Sequence, residues 1–175
     1  VRIYLPKKLK SGLYIGLDLA LRSGYAIIDV NKTIQLIGYG LISTNKQDEI
    51  TKLIDISTKI DLKTSKIVEK YLKQNKNVTF VLEDCFLKFN PNVLKKLARL
   101  EGFILHGLIN KYKHPKVSFK IIAPSTAKHL AGGKGNFSKR ETVTYINKLL
   151  KKRVFEEKDH DRADAIILAL AGGIE

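Results

Sequence analysis

With a single cysteine, Cys85, the chain cannot close an internal disulfide. Packing must hold the fold together, as is usual in a reducing interior. Nowhere does an apolar run approach the roughly 20 residues that span a bilayer. The apolar residues of the basic opening VRIYLPKKLKSG never form the core of a signal peptide. These absences lead to the expectation of an intracellular, cytoplasmic protein with no membrane partner, associated with a nucleoid or, if viral, in the host cytoplasm. Acids are scarce as well: 17 Asp and Glu face 32 Lys and Arg, a formal net charge of +15. A domain this basic most simply binds a polyanion, and nucleic acid is the commonest one. No internal repeat or low-complexity linker divides the 175 residues, which fit one domain, 1–175, with residues 1–12 as a basic N-terminal extension.

What is present reads as an α/β plan. Leu13 to Leu17, Gly24 to Val30 and Thr33 to Ser43 have the alternation of three strands joined by short turns, an antiparallel meander. Gly38 and Gly40 inside the third suggest a bulge or a close backbone approach. Gln47 to Lys73 carries Ile50, Ile54, Ile60, Ile67, Val68 and Tyr71 among charged residues, which predicts a long amphipathic helix. Val78 to Asp84 is a fourth strand, Asn92 to Tyr112 a helix, and Val117 to Ala123 a fifth strand. Ser125 and Ser138 suit the N-caps of two further helices, the second with a full capping box, Ser138 to Glu141. The final DHDRADAIILALAGG is a helix ended by Gly172-Gly173. The expected fold is a mixed five-stranded sheet with helices on both faces.

The few acids fall in telling places. Asp18 closes the first core strand, Glu83 and Asp84 close the fourth, and Asp159, Asp161 and Asp164 open the last helix. Asp161 and Asp164, three apart, share a helix face. Adjacent strand ends would bring Asp18 and Glu83 together, with the helix acids beside them. Such carboxylates repel one another unless a cation sits among them, and hard oxygen ligands suit Mg²⁺. An acidic metal cluster within a basic protein is the equipment of a phosphodiester nuclease: lysines hold the backbone, and metal ions stabilise the attacking and leaving oxygens.

Four segments, in order, resemble the RuvC family of Holliday-junction resolvases, within the ribonuclease H-like superfamily. They are IGLDLALRSGYAIID, FVLEDCFLKFNPNVLKKLARLEGFI, IIAPSTAKHLAGGKGNFSKRETV and DHDRADAIILAL. The resemblance implies a structure-selective endonuclease that resolves four-way junctions by paired nicks as a homodimer, leaving 5′-phosphate ends. It implies Mg²⁺, replaceable by Mn²⁺, with two ions per site held by Asp18, Glu83, Asp161 and Asp164. Lys128 and Lys139 would lie near the scissile phosphate, and Phe86 would enter the junction or stack on a base. Lys88, Lys134 in its Gly-rich loop, and Arg140 complete the expected DNA-binding set. The first turn here has Leu19-Ala20 where the family usually has Pro-Gly. The apolar excess on the Asn92 to Tyr112 helix suggests a dimer contact in addition to core.

Overall fold

The computed structural model describes residues 1–85 and 90–174. Strands β1 (Arg2–Ile3), β2 (Gly12–Asp18), β3 (Arg22–Val30) and β4 (Ile34–Ser43) precede helix α1 (Glu49–Lys73). After α1 come β5 (Val78–Glu83), α2 (Pro91–Lys111), β6 (Val117–Ile122), α3 (Pro124–Leu130), α4 (Lys139–Leu150), a 3₁₀ turn (Glu157–Asp159) and α5 (His160–Gly172). The sheet order is β1-β4-β3-β2-β5-β6. β2, β3 and β4 form the antiparallel meander, while β5 runs parallel to both β2 and β6.

The sheet has six strands, not the expected five. β1 is two residues long, too short for any alternation to announce it, and it pairs with β4 through Ile3↔Ile34. The basic segment 1–12 is thus fastened to the domain: Ile3 and Leu9 are buried, and the Tyr4 N–H donates to the Leu149 carbonyl at 2.8 Å. The helix assigned to Ser125 begins earlier, with Pro124 at its first position and Ala123 as an N-cap without a side-chain bond. Proline's fixed φ suits that first position and sets the start. Ser138 and Glu141 do form the capping box of α4.

Core lies on both faces of the sheet, and strand alternation decides which residues meet which helix. Leu13, Ile15 and Leu17 of β2, with Phe80 and Leu82 of β5, face α1 and α2. Tyr14 of β2 and Val81 of β5 face the other way, toward α5, α3 and α4. By the same two-residue period, Gly16, Asp18 and Glu83 belong to the α5 side. The expected bulge is present: Ile27 pairs with Gly38 and Ile28 with Leu36, so Ile37 is the extra residue. Gly40 leaves room for the Tyr25 ring, which would lie 2.8 Å from an added Cβ. Ile50 and Ile54, expected in the core stripe of α1, are exposed. The buried stripe runs instead through Ile56, Ile60, Thr64, Val68 and Tyr71.

Candidate active site

Three glycines seat α5 against the sheet. A Cβ on Gly16 would lie 2.1 Å from the Ala165 carbonyl oxygen, one on Gly24 2.0 Å from that of Asp161, and one on Gly172 2.3 Å from the Val81 side chain. No β-carbon fits at any of them without moving the helix. Gly24 pairs directly with Asp18 across the β2–β3 ladder, so the contact that admits the first turn of α5 sits beside the strand-end acid. At the other end of α5, Lys120 of β6 donates to the Gly172 carbonyl at 2.7 Å, a cation on the negative pole of the helix.

This seating gathers the acids at one end of the sheet. Burial pushes the Asp18 carboxyl well above its ordinary range, and the negative charges of Glu83, Asp164 and Asp161 push it further; Lys139 acts against them. Glu83 rises to about 7, through burial first and then Asp164, with Lys128 pulling it back and Asp84 adding to the rise. Asp164 is raised chiefly by burial, against the pull of Lys128 and His160. Three carboxylates on three elements therefore resist ionisation together.

The bases are arranged around them. Lys128, on α3, donates to the Phe137 carbonyl at 3.0 Å and stands 3.8 Å from Asp164 Oδ1. Lys139, at the start of α4, reaches His160 Nε2 at 2.9 Å. Asp161 is paired with Arg22 Nε at 3.4 Å, and its Oδ1 lies 2.9 Å from His160 Nε2. The Glu157 carbonyl lies 3.1 Å from His160 Nδ1 and can only accept, so that nitrogen carries the proton. Nε2 of the neutral ring then accepts from Lys139, and it donates to Asp161 only when the ring is charged.

Other expected residues lie apart. Lys134 is exposed in the loop after α3, near enough to Glu141 to help lower its pKa. Arg140 lines a groove with Arg153, Glu156 and Glu157, away from the acid cluster. Phe86 and Lys88 fall outside the described residues. Asp159 turns back instead, accepting from the Glu156 N–H at 3.0 Å and from Arg162 Nη1 at 2.5 Å, and so shapes the approach to α5. Arg22 is a partner of Asp161 that sequence reasoning does not single out for the site; His160, which stands between two acids, reads as an exposed side chain and is instead half-buried beside Asp161. Arg22 could have been suspected only from its place in the turn after Asp18.

The donor set fits a hard divalent cation. It is all oxygen, its members repel one another, and Asp164 Oδ1 is buried without a hydrogen-bond partner. Among the described residues no three acidic, histidine or cysteine side chains already converge on one ion-sized point; Arg22 and His160 engage Asp161, and Lys128 is the nearest cation to Asp164.

The family model for the crossover junction endodeoxyribonuclease RuvC matches residues 14–172. The chain belongs to the RuvC family. Two curated RuvC proteins resemble it over most of both chains. One, from Aliarcobacter butzleri, is 28% identical over 158 residues, covering 89% of this chain and 94% of the relative. The other, from Chlamydia pneumoniae, is 30% identical over 162 residues, 91% of each. Among solved structures, Thermus thermophilus RuvC superposes with a TM-score of 0.65 at 16% identity, covering 91% of this chain and 92% of that one. The same protein in complex with Holliday junction substrate gives 0.65 at 15% identity, over 91% of each chain. The yeast mitochondrial Holliday junction resolvase gives 0.62 at 15%, with 95% of this chain and 79% of that one covered. These likenesses bear out the ribonuclease H-like fold. RuvC family nucleases depend on divalent metal, and among the described residues no helix is long and apolar enough to cross a membrane.

Proposed function

We propose that the chain is a metal-dependent endonuclease that resolves four-way DNA junctions by symmetric paired nicks, leaving 5′-phosphate and 3′-hydroxyl ends. One observation carries this reading. Asp18, Glu83 and Asp164 arrive from three separate elements at one end of the sheet, each held above its ordinary pKa first by burial, with Asp164 raising Glu83 and both raising Asp18, and Lys128 stands beside them. Asp18, Glu83, Asp161 and Asp164 would hold the metal, Mg²⁺ or in its place Mn²⁺, as two ions. When bound, the metal activates water and neutralises charge on the attacked phosphate.

The protein's own groups do the rest. Lys128, tethered by the Phe137 carbonyl, presents a fixed positive charge beside Asp164 for the phosphate oxygens as charge develops. Arg22 keeps Asp161 oriented, while Lys139, Lys134, Arg140, Phe86 and Lys88 bind the DNA around the cut. Val93, Phe103 and Ile109 of α2, all exposed apolar residues, form the contact of a homodimer, whose two-fold symmetry supplies the second nick. A DNA junction as substrate supports an intracellular location.

The test is incubation with Mg²⁺ and labelled four-way junction, fork, flap and linear duplex. Paired nicks in the junction alone are expected; equal nicking of forks and flaps would make it a broader branched-DNA nuclease. Asp18→Asn, Glu83→Gln and Asp164→Asn should each abolish nicking while junction binding stays or strengthens. Lys128→Ala should lower the single-turnover rate about a hundredfold at little cost in affinity. Equal losses of rate and affinity would demote Lys128 to a backbone contact.

A further inference from the structure

Some positive charge is concentrated far from the acids. The segment 1–12 carries Arg2, Lys7, Lys8 and Lys10, and 148–153 carries Lys148, Lys151, Lys152 and Arg153; neither contains an acid. The fold joins them through the Tyr4 N–H bond to the Leu149 carbonyl. Tyr4, 42% exposed, then lies between two cations: Lys151 Nζ is 3.9 Å from its ring centroid and Arg2 Cζ 5.2 Å. A groove of about 370 Å³ runs beside the ring, lined by Arg2, Tyr4, Pro6, Lys32 and Thr33. Lys151 holds its place in the left-handed conformation that ends α4, with φ of 50°.

Bringing like charges together costs stability through their mutual repulsion, and a bound polyanion removes that cost. Pairing the cations with one exposed ring also fixes their spacing, so little freedom is lost when they grip phosphates. β1 pairs with the start of β4, which pairs with the end of β3 and so lies level with Gly12. Asp18 is at the opposite end of β2, a strand of seven residues, or about 20 Å along the sheet. The N-terminal segment also precedes residue 14, where the family match starts.

We infer that Arg2, Lys32 and Lys151, arranged around Tyr4, form a second nucleic-acid contact that grips the backbone phosphates of duplex DNA at the end of the sheet remote from the carboxylates. It takes no part in cleavage. Its contacts are to phosphate and carry no sequence preference. The inference extends the resolvase reading, since the duplex would be an arm of the bound junction, but it does not need that reading to hold.

The experiment compares three proteins: the unaltered chain, the triple variant Arg2→Gln, Lys32→Gln, Lys151→Gln, and a charge-matched control, Lys63→Gln, Lys66→Gln, Lys70→Gln, on exposed positions of α1. Binding to linear duplex, to four-way junction and to vesicles of anionic lipid is measured across a salt series. The first triple should shallow the log–log salt slope by about two to three units and weaken binding at least about tenfold, because each lost phosphate contact removes about 0.9 of slope. The control should shift it by less than about one unit, and thermal melting should show both variants folded. Nicking by the first triple at saturating enzyme should be unchanged. Equal slopes for the two triples, or a loss confined to vesicles of anionic lipid, would overturn the inference. A first triple with the expected slope change, in a chain that nicks no branched DNA, would instead leave the contact standing and remove the resolvase reading.

Discussion

Helices α5 and α2 are both rich in apolar residues, and the fold treats them oppositely. From Ala165 to Gly172 every residue of α5 is buried, and its seat is backbone on backbone at Gly16 and Gly24. α2 buries only Leu100, Ile104 and Leu108, and holds Val93, Phe103 and Ile109 in solvent. Exposed Ile50 and Phe103 line one groove between α1 and α2, so the outward apolar surface belongs to both helices. A helix that carries reacting groups must be fixed to a fraction of an ångström, and contacts without intervening rotamers achieve that. A helix that meets a partner needs apolar surface left over.

The comparison breaks most sharply at Gly24. Gly24→Ala puts a methyl group 2.0 Å from the Asp161 carbonyl oxygen, and the first turn of α5 must lift. A destabilisation of about 3 kcal/mol is expected, with nicking lost even where the protein stays folded. Thermal melting and single-turnover cleavage, measured on one preparation, check both parts. Wild-type cleavage in this variant would mean that the seat does not position the acids.

A smaller effect concerns protons. Glu83 titrates in the folded protein at about 7 against an ordinary 4.5, so the folded state keeps a proton that the unfolded chain has released. The associated stability is complete below about pH 4.5 and is lost as pH rises through 7. Metal-free protein should therefore melt at falling temperature between about pH 5 and pH 8, and Mg²⁺ should restore the loss at the upper end. Glu83→Gln should flatten the decline by more than its own share, because Glu83 also raises Asp18. An unchanged slope in the variant would place the coupling elsewhere.

Least disturbing to the fold is Phe103→Ser on the exposed face of α2. Stability should change by no more than about 0.5 kcal/mol, while sedimentation should show a shift from dimer to monomer. A variant that stays dimeric would send the search for the interface away from this face.

The two helices also differ in how well they could be read. Asp18 was legible because an acid ending an apolar run breaks its own local pattern, and α5 because an apolar stretch with no polar face must be buried all round. The phase of α1 was not. Its 25 residues extend about 37 Å, against about 20 Å for the strands beneath. The buried stripe begins only at Ile56; Ile50 and Ile54 fall on the exposed side, and Ile50 lines the groove shared with Phe103 of α2. Arg22 escaped for another reason: its place beside Asp161 depends on where the short loop after β2 brings one side chain, and no periodicity encodes that. Ser125 offered a capping hydroxyl, but the proline before it had already started the helix.

The extra residue at Ile37 has an effect on how chains meet. β1 covers only the first two positions of β4, and from Ile37 onward that edge has no strand partner among the described residues. An open edge is a template for the strand of a neighbouring molecule, and such pairing ends in aggregates. The bulge interrupts the ladder where the cover stops, and Gly38 and Gly40 make the remainder of β4 a poor strand for pairing. Copies of this protein are thereby discouraged from adding sheet to sheet, which leaves the helical face free for the proposed dimer.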